Sequence, residues 1–301
     1  MSLFDKMIVW SLPLVPKPIV KIFSKIYIAG AHLSDGVQTV KKLNAKGIMA
    51  TMDLLGEFTD SKEKAVKAAD EYIEILQAIQ KEGLDSNVSV KPTHMGLLVD
   101  KELCYQNIRR IVAEAQKMNN FVRIDMEDHT TTDDTIDMYL RLKDEFGDHV
   151  GIVIQAYLRR TIADINHLCQ HKANVRLCKG IYVEPREIAY KDMAIINDNY
   201  RYNLEKLISN GCYVGIATHD EKMIWHGLSL IDKYGLKPDQ YEFQMLLGVD
   251  EQLRDIIVKS GHRLRVYVPF GVDWYGYSTR RLKENPRMAG FVFKRIFGLG
   301  K

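Results

Sequence analysis

Eight short runs rich in β-branched and other apolar residues recur along the chain: GIMATMDL (47–54), NVSVKPTHM (87–95), FVRIDME (121–127), GIVIQAY (151–157), NVRLCKG (174–180), YVGIATHD (213–220), YEFQMLLG (241–248) and RLRVYVPFG (263–271). A longer stretch of helical period follows each run. In KELCYQNIRRIVAEAQKM, for example, Leu103, Ile108, Ile111, Val112 and Ala115 return at helical spacing. Strict strand-helix alternation, repeated eight times over about 250 residues, predicts a (β/α)8 barrel. A doubly wound open sheet is the alternative, and the lack of a G-x-G-x-x-G turn after any strand lowers the odds of a Rossmann dinucleotide site. With no internal repeat or low-complexity linker, one barrel domain over residues 31–301 is expected, preceded by a helical arm over 1–30.

The arm needs separate treatment, because its apolar run from Met7 to Val15 could pass for a signal-peptide core. Asp5 and Lys6 precede that run, Pro13 interrupts it and Lys17, Lys21 and Lys25 follow, which is the wrong order for export. The run is also too short to span a bilayer. From Lys17 to Ile26 the lysines recur every fourth residue, with Ile19, Val20, Ile22, Phe23 and Ile26 elsewhere around the helix. This predicts a small basic amphipathic helix packed on the body of the protein, with docking on an anionic membrane surface as its second use. A net charge of only +3 in 301 residues gives no strong field for nucleic acid. Four scattered cysteines without C-x-x-C spacing read as reduced thiols. The absence of an Arg-rich, acid-free leader points to the cytoplasm, with peripheral attachment to the inner face of the cell membrane as the extension of the arm's second use.

In a barrel, chemistry gathers at the C-terminal ends of the strands. Read together, those ends carry Lys91, Asp125 with Glu127, Gln155, Arg176 with Lys179, Thr218 with His219, Gln244, and Tyr267. Stability alone calls for Val, Ile and Ala there, so a ring of long polar side chains predicts a site, and its basic members Lys91, Arg176 and Lys179 predict an anionic ligand. Asp125, Glu127 and the following DHTTTDD suggest a metal, but a strand end followed by a helix start, with Thr131 as N-cap and Asp133 and Asp134 in the first turn, explains them better. No metal is expected. Lys91 alone would also suit a Schiff-base aldolase. Near the C-terminus, YSTRRLKENP (277–286) sets Tyr277, Arg281 and Glu284 within one or two helical turns, with Arg280 facing about 100° away from Arg281. Two neighbouring guanidiniums can thus grip two different groups, although spacing alone favours a solvated face screened by Glu284.

VRLCKGIY (175–182), IATHD (216–220), YEFQMLLG and above all YSTRRLKENP resemble the motifs of the proline dehydrogenases, flavoenzymes that begin proline catabolism. The match runs in order from YIAGAHL (27–33) through MDLLGE (52–57) to RRLKENP, nearly the whole chain. The resemblance implies a distorted (β/α)8 TIM barrel with its last helix over the mouth, and a stand-alone enzyme with no second dehydrogenase domain. It implies oxidation of L-proline to Δ1-pyrroline-5-carboxylate by hydride transfer from C5 to N5 of FAD, with a membrane quinone taking the electrons.

The same resemblance assigns roles. Arg280 and Arg281 would grip the substrate carboxylate, with Lys91 adding charge from below and Tyr277 closing over it. Tyr267 and Leu246 would wall the proline ring, and a tyrosine at 267 favours proline over hydroxyproline. Asp125 would support Tyr267 and the flavin pocket. Gln155 and Arg176 would lie along the isoalloxazine, Lys179, Gly180 and Tyr182 would form the cofactor loop, and Thr218, His219 and Gln244 would hold the rest of FAD. Glu284 would orient the arginines and touch the cofactor. Ile181 and Val183 depart from the small and aromatic residues common in the large bifunctional relatives.

Overall fold

All eight runs form strands, and these close edge to edge in sequence order into a parallel barrel, β1 pairing with both β2 and β8. The computed structural model describes residues 17–278. Two helices come first, α1 (Lys17–Tyr27) and α2 (Leu33–Asn44). The barrel then runs β1 (Met49–Leu54), α3 (Lys62–Lys81), β2 (Ser86–Val90), α4 (Lys101–Lys117), β3 (Val122–Ile124), α5 (Thr132–Phe146), β4 (Val150–Gln155) and α6 (Thr161–Gln170). Its second half is β5 (Asn174–Cys178), α7 (Met193–Ser209), β6 (Tyr213–Ala217), α8 (Glu221–Tyr234), β7 (Tyr241–Leu246), α9 (Glu251–Lys259) and β8 (Leu264–Phe270). Several strands stop short of the apolar-to-polar runs that announced them, because the polar ends turn out of the ladder to form the mouth.

Alternation along each strand sorts the side chains. Met52, Val88, Val90, Ile124, Ile152, Ile154, Leu177, Ile216, Phe243 and Val266 belong to one continuous buried core between sheet and helices. The opposite parity carries polar groups that bond to one another across the barrel. Thr51 donates to Asn87 (2.6 Å), Ser89 to Asp125 (2.6 Å), Arg123 to Asn174 (2.6 Å) and Arg265 to Glu242 (2.8 Å). Burial pushes the Glu242 carboxyl upward, but the charge and hydrogen bond of Arg265, with help from Arg123 and Gln244, outweigh it and hold the group at about 2. A barrel lumen is usually packed with branched aliphatic residues. Here the apolar core is an outer annulus and the lumen is a paired polar network, which is the arrangement that tolerates buried charge.

Helix starts follow local capping chemistry. Asp100 accepts from the backbone N–H groups of Glu102 and Leu103 at 3.1 Å, and Asp220 caps α8 through Lys222. At α5 the expected cap position holds. Thr131 occupies the N-cap position, with Asp133 and Asp134 in the first turn, but its side chain makes no capping bond. A 3-10 turn precedes the helix, and Asp128 caps that turn by accepting from Thr130 N–H at 3.0 Å.

Two features shape the mouth. Although α2 precedes β1, it packs against β1 and β8, with Gly36 set so close that a Cβ there would lie 2.7 Å from Met52 and 3.2 Å from Phe270. It covers the outer face where β8 meets β1; after β8, residues 274–278 are helical, and Tyr277 packs on Tyr27, Ile28 and Leu55. Helix α1 packs as expected, with Val20, Ser24 and Tyr27 buried and Lys21, Lys25 and Ile26 exposed. Its end is fixed beside β8 by Ala29 N–H donating to the Pro269 carbonyl (2.9 Å). Beyond β7, Gly248 has φ +71° and any Cβ would fall 2.0 Å from the Ile26 carbonyl oxygen, so only glycine admits this approach. No described helix is long and apolar enough to cross a membrane.

Candidate active site

Asp125 is the centre of the mouth. One carboxylate oxygen accepts from Ser89 Oγ (2.6 Å) and Arg176 Nη1 (2.9 Å); the other accepts from Tyr267 Oη (2.7 Å) and lies 3.8 Å from Lys91 Nζ. The Arg176 guanidinium also stacks over the Tyr267 ring at 5.2 Å. Burial, then the Asp125 and Asp53 carboxylates, push the Tyr267 phenol well above its ordinary value against the pull of Arg176. The phenol therefore stays protonated and donates to Asp125. Four residues read from different strand ends meet at one point.

A fifth, Asp53, was not anticipated. It is fully buried on β1 and accepts from Lys91 Nζ at 2.6 Å. Its Oδ2 has no hydrogen-bond partner among the described residues. Burial lowers the affinity of Lys91 for its proton, but the charges of Asp53 and Asp125 outweigh that and raise the ammonium above its ordinary value. Burial and the nearby Asp125 in turn lift the Asp53 carboxyl despite Lys91. Lys91 is thus a permanently charged group, opposite to the lowered lysine that imine chemistry requires. The only signal for Asp53 in the sequence was its place in MDLLGE, ahead of two leucines that make the strand look apolar to its end.

The network continues toward the far side of the barrel. Arg176 Nε donates to the Gln244 carboxamide oxygen, and Gln244 Nε2 to Glu242. Gly215, opposite Arg176 in the register, leaves room for that carboxamide: a Cβ there would sit 2.6 Å from Gln244 Nε2. Gln155 is buried and donates to the Glu127 carbonyl (2.7 Å). Lys179 pairs with Asp220 (2.6 Å), and the Thr218 hydroxyl accepts from the Asp220 N–H (3.1 Å). His219 Nε2 accepts from the Leu246 N–H (2.9 Å), tying the end of β6 to the end of β7. Gly180 has φ +105° and any Cβ would fall 2.1 Å from the Tyr157 ring, so the chain bends over that ring and carries Lys179 to Tyr182 along the rim.

Asp125 and Glu127 do not act as a pair. Glu127 turns to the β2 side, where Thr93 donates through both its N–H (2.8 Å) and its hydroxyl (2.6 Å). Burial raises the Glu127 carboxyl to about 7 despite these bonds and the charge of Lys91. Between this rim and the start of the last helix lies a cavity of about 440 Å³ lined by Leu55, Gly56, Glu57, Lys91, Tyr275 and Tyr277 among others. Arg280, Arg281 and Glu284 lie outside the described residues.

A sequence model of the proline dehydrogenase family matches residues 36–294. The chain is 39% identical over 270 residues to proline dehydrogenase of Deinococcus radiodurans, with 88% of this chain and 87% of that protein covered. It is also 39% identical over 267 residues to proline dehydrogenase 2 of Bacillus subtilis strain 168, covering 89% and 88%. The chain belongs to the proline dehydrogenase family. Among solved structures, proline utilization A from Bdellovibrio bacteriovorus, inactivated by N-propargylglycine, superposes with a TM-score of 0.82 at 26% identity; 88% of this chain and 32% of that one are covered. The chain is matched along nearly all of the two relatives named first and along about a third of this larger protein. Within that fold, Lys91, Asp125, Arg176, Tyr267 and Gln244 form one bonded cluster, whereas Lys179, Thr218 and His219 are held on the rim by partners of their own.

Proposed function

We propose that the protein oxidises L-proline to Δ1-pyrroline-5-carboxylate, the first step of proline catabolism, with FAD as hydride acceptor and a membrane quinone as the final oxidant. The observation that carries this reading is the buried Lys91–Asp125–Arg176–Tyr267 cluster at the mouth of a barrel that belongs to the proline dehydrogenase family. The donor set suits a flavin: cations at Arg176 and Lys179, carboxamides at Gln155 and Gln244, and a glycine at 180 that lets the rim chain pass without a side chain. Bound there, FAD supplies the two-electron acceptor. Arg176, Gln155 and Gln244 would lie along its ring system, and Lys179, Gly180, Tyr182, Thr218 and His219 would hold the remainder, with Glu284 reaching it from the last helix.

In the cluster, the charges of Lys91 and Arg176 are met by Asp53 and Asp125. The net positive charge needed to grip a substrate carboxylate therefore falls to Arg280 and Arg281, with Lys91 beneath as a fixed donor. That grip turns the ring so that C5 faces the acceptor, between Tyr267, Leu246 and Tyr277. Cations around the secondary ammonium favour loss of its proton. Asp53 would hold Lys91 in place. Asp53→Asn keeps an acceptor oxygen but removes the charge, and is expected to lower kcat/KM for L-proline about tenfold, the range for a weakened hydrogen bond to a charged group; unchanged kinetics would remove Asp53 from the site.

Electron delivery to quinone gives the exposed Lys21, Lys25 and Ile26 of α1 a purpose at an anionic bilayer surface. The test is L-proline-dependent reduction of a quinone analogue held in anionic vesicles. Proline is expected to be oxidised at least ten times more efficiently than trans-4-hydroxyproline, since Tyr267 is pinned by both Asp125 and Arg176. Deleting residues 1–26 is expected to lower the vesicle rate while leaving the rate with a water-soluble dye. No turnover of proline with either acceptor would defeat the proposal.

A further inference from the structure

The segment joining β5 to α7 carries the rim residues Lys179, Gly180 and Tyr182, and its burial pattern is unusual. From residue 179 to residue 188, one side chain is buried, and it is charged: Glu184, 5% exposed. Its neighbour Val183 is fully exposed and Ile181 is partly so. A carboxylate buried in an otherwise surface segment costs several kcal/mol unless it is bonded, so the chain must gain something by burying it.

Its partner is His129, 55 residues away in the turn after β3. The His129 N–H donates to Glu184 Oε1 (2.8 Å), and the ring Nδ1 bonds to Oε2, so both carboxylate oxygens are held by one residue. Lys191 Nζ donates to the Glu184 carbonyl from the far end of the same segment. His129 is itself set by the turn that Asp128 caps, directly after Glu127, whose carbonyl receives Gln155. The rest of the segment is fastened through Tyr157, whose N–H donates to the Lys179 carbonyl and whose carbonyl accepts from Tyr190, both at 2.8 Å. Between Lys179 and Pro185, Glu184 is the point at which the rim loop is tied across to the β3 side of the mouth.

We propose that the His129–Glu184 pair is a clasp that fixes the 179–184 loop in its cofactor-holding shape and thereby sets flavin affinity. Both are positioning residues acting through Lys179, Gly180 and Tyr182. The inference rests on the flavin reading of the site.

The experiment pairs FAD titration of the deflavinated protein with amide hydrogen exchange of the same protein without FAD, for the wild type, Glu184→Ala, His129→Ala, the double variant and Glu184→Gln. Glu184→Ala, which loses both bonds, is expected to raise the Kd for FAD about tenfold or more, and His129→Ala, which loses the ring bond but keeps the backbone N–H bond, to raise it by less; both should speed exchange across 180–184. The double variant should bind no more weakly than Glu184→Ala, because removing the carboxylate already breaks both bonds to His129. Glu184→Gln, whose oxygen can accept from the His129 N–H while its NH2 donates to the ring Nδ1, should keep most of the affinity and guards against a general folding defect. Unchanged exchange in Glu184→Ala overturns the clasp, as does faster exchange with unchanged Kd. If the wild-type protein takes up no FAD, the flavin reading fails and the clasp's effect on the cofactor fails with it, whereas loss confined to the variants upholds both.

Discussion

Asp125→Asn is expected to lower kcat/KM for L-proline by about 100- to 1,000-fold and to cost about 3–5 kcal/mol of stability, the range for removing one partner of a buried ion pair. The expectation follows from what the carboxylate holds. Ser89, Arg176 and Tyr267 all donate to it, and Lys91 lies within ion-pair distance. An asparagine keeps one acceptor oxygen but presents an N–H₂ to groups that are themselves donors, so at least one bond reverses into a repulsion. Arg176 and Lys91 would then be buried with Asp53 as their main counter-charge. Tyr267 would lose the acceptor that sets its ring, and with it the wall of the proposed substrate pocket. Denaturant melts and steady-state kinetics on the same preparation check both parts. A variant that melts like the wild type and retains its activity would show that the cluster neither supports the fold nor shapes the site.

Glu127→Gln should stabilise the protein as pH rises, with the full effect reached above neutral pH. Burial raises the Glu127 carboxyl from 4.5 to about 7, so between those values the folded protein binds a proton that the unfolded chain has already released. Stability contributed by this group is therefore present at low pH and falls as pH rises through that interval, staying lost above it. At about 1.4 kcal/mol for each pH unit, the loss comes to roughly 3–3.5 kcal/mol. Glutamine preserves the arrangement around Thr93, accepting from its N–H and donating to its hydroxyl, without the buried charge. Urea melts from pH 5 to 8.5 should show a declining wild type against a flatter variant, with the two crossing near the lower end. Parallel curves would mean that Glu127 is not the group that titrates.

What could be read in advance depended on how local the cause was. The strands were visible because each β-branched run had its own boundaries, and the ring of polar ends because barrel geometry brings consecutive strand ends together. The deeper polar layer was also written in the sequence, in alternations such as YEFQML, where Glu242 and Gln244 occupy one parity and Tyr241, Phe243 and Met245 the other. Its meaning depended on partners such as Arg265, 23 residues away. Asp53 stayed hidden for a related reason: Lys91, its partner, is 38 positions downstream, and no periodicity links them. The start of α5 was legible too, with Thr131 at the N-cap and Asp133 and Asp134 in the first turn; what the sequence did not announce was the preceding 3-10 turn, capped by Asp128, which leaves the Thr131 side chain without a capping bond. The paired arginines of YSTRRLKENP lie outside the described residues, and their assignment comes from the resemblance alone.

The central claim is tested most directly by the visible spectrum of the purified protein before and after anaerobic addition of L-proline. The account predicts an oxidised flavin spectrum that bleaches on addition of proline and returns when a quinone is admitted. A colourless protein that stays inert to proline after FAD is supplied would contradict it.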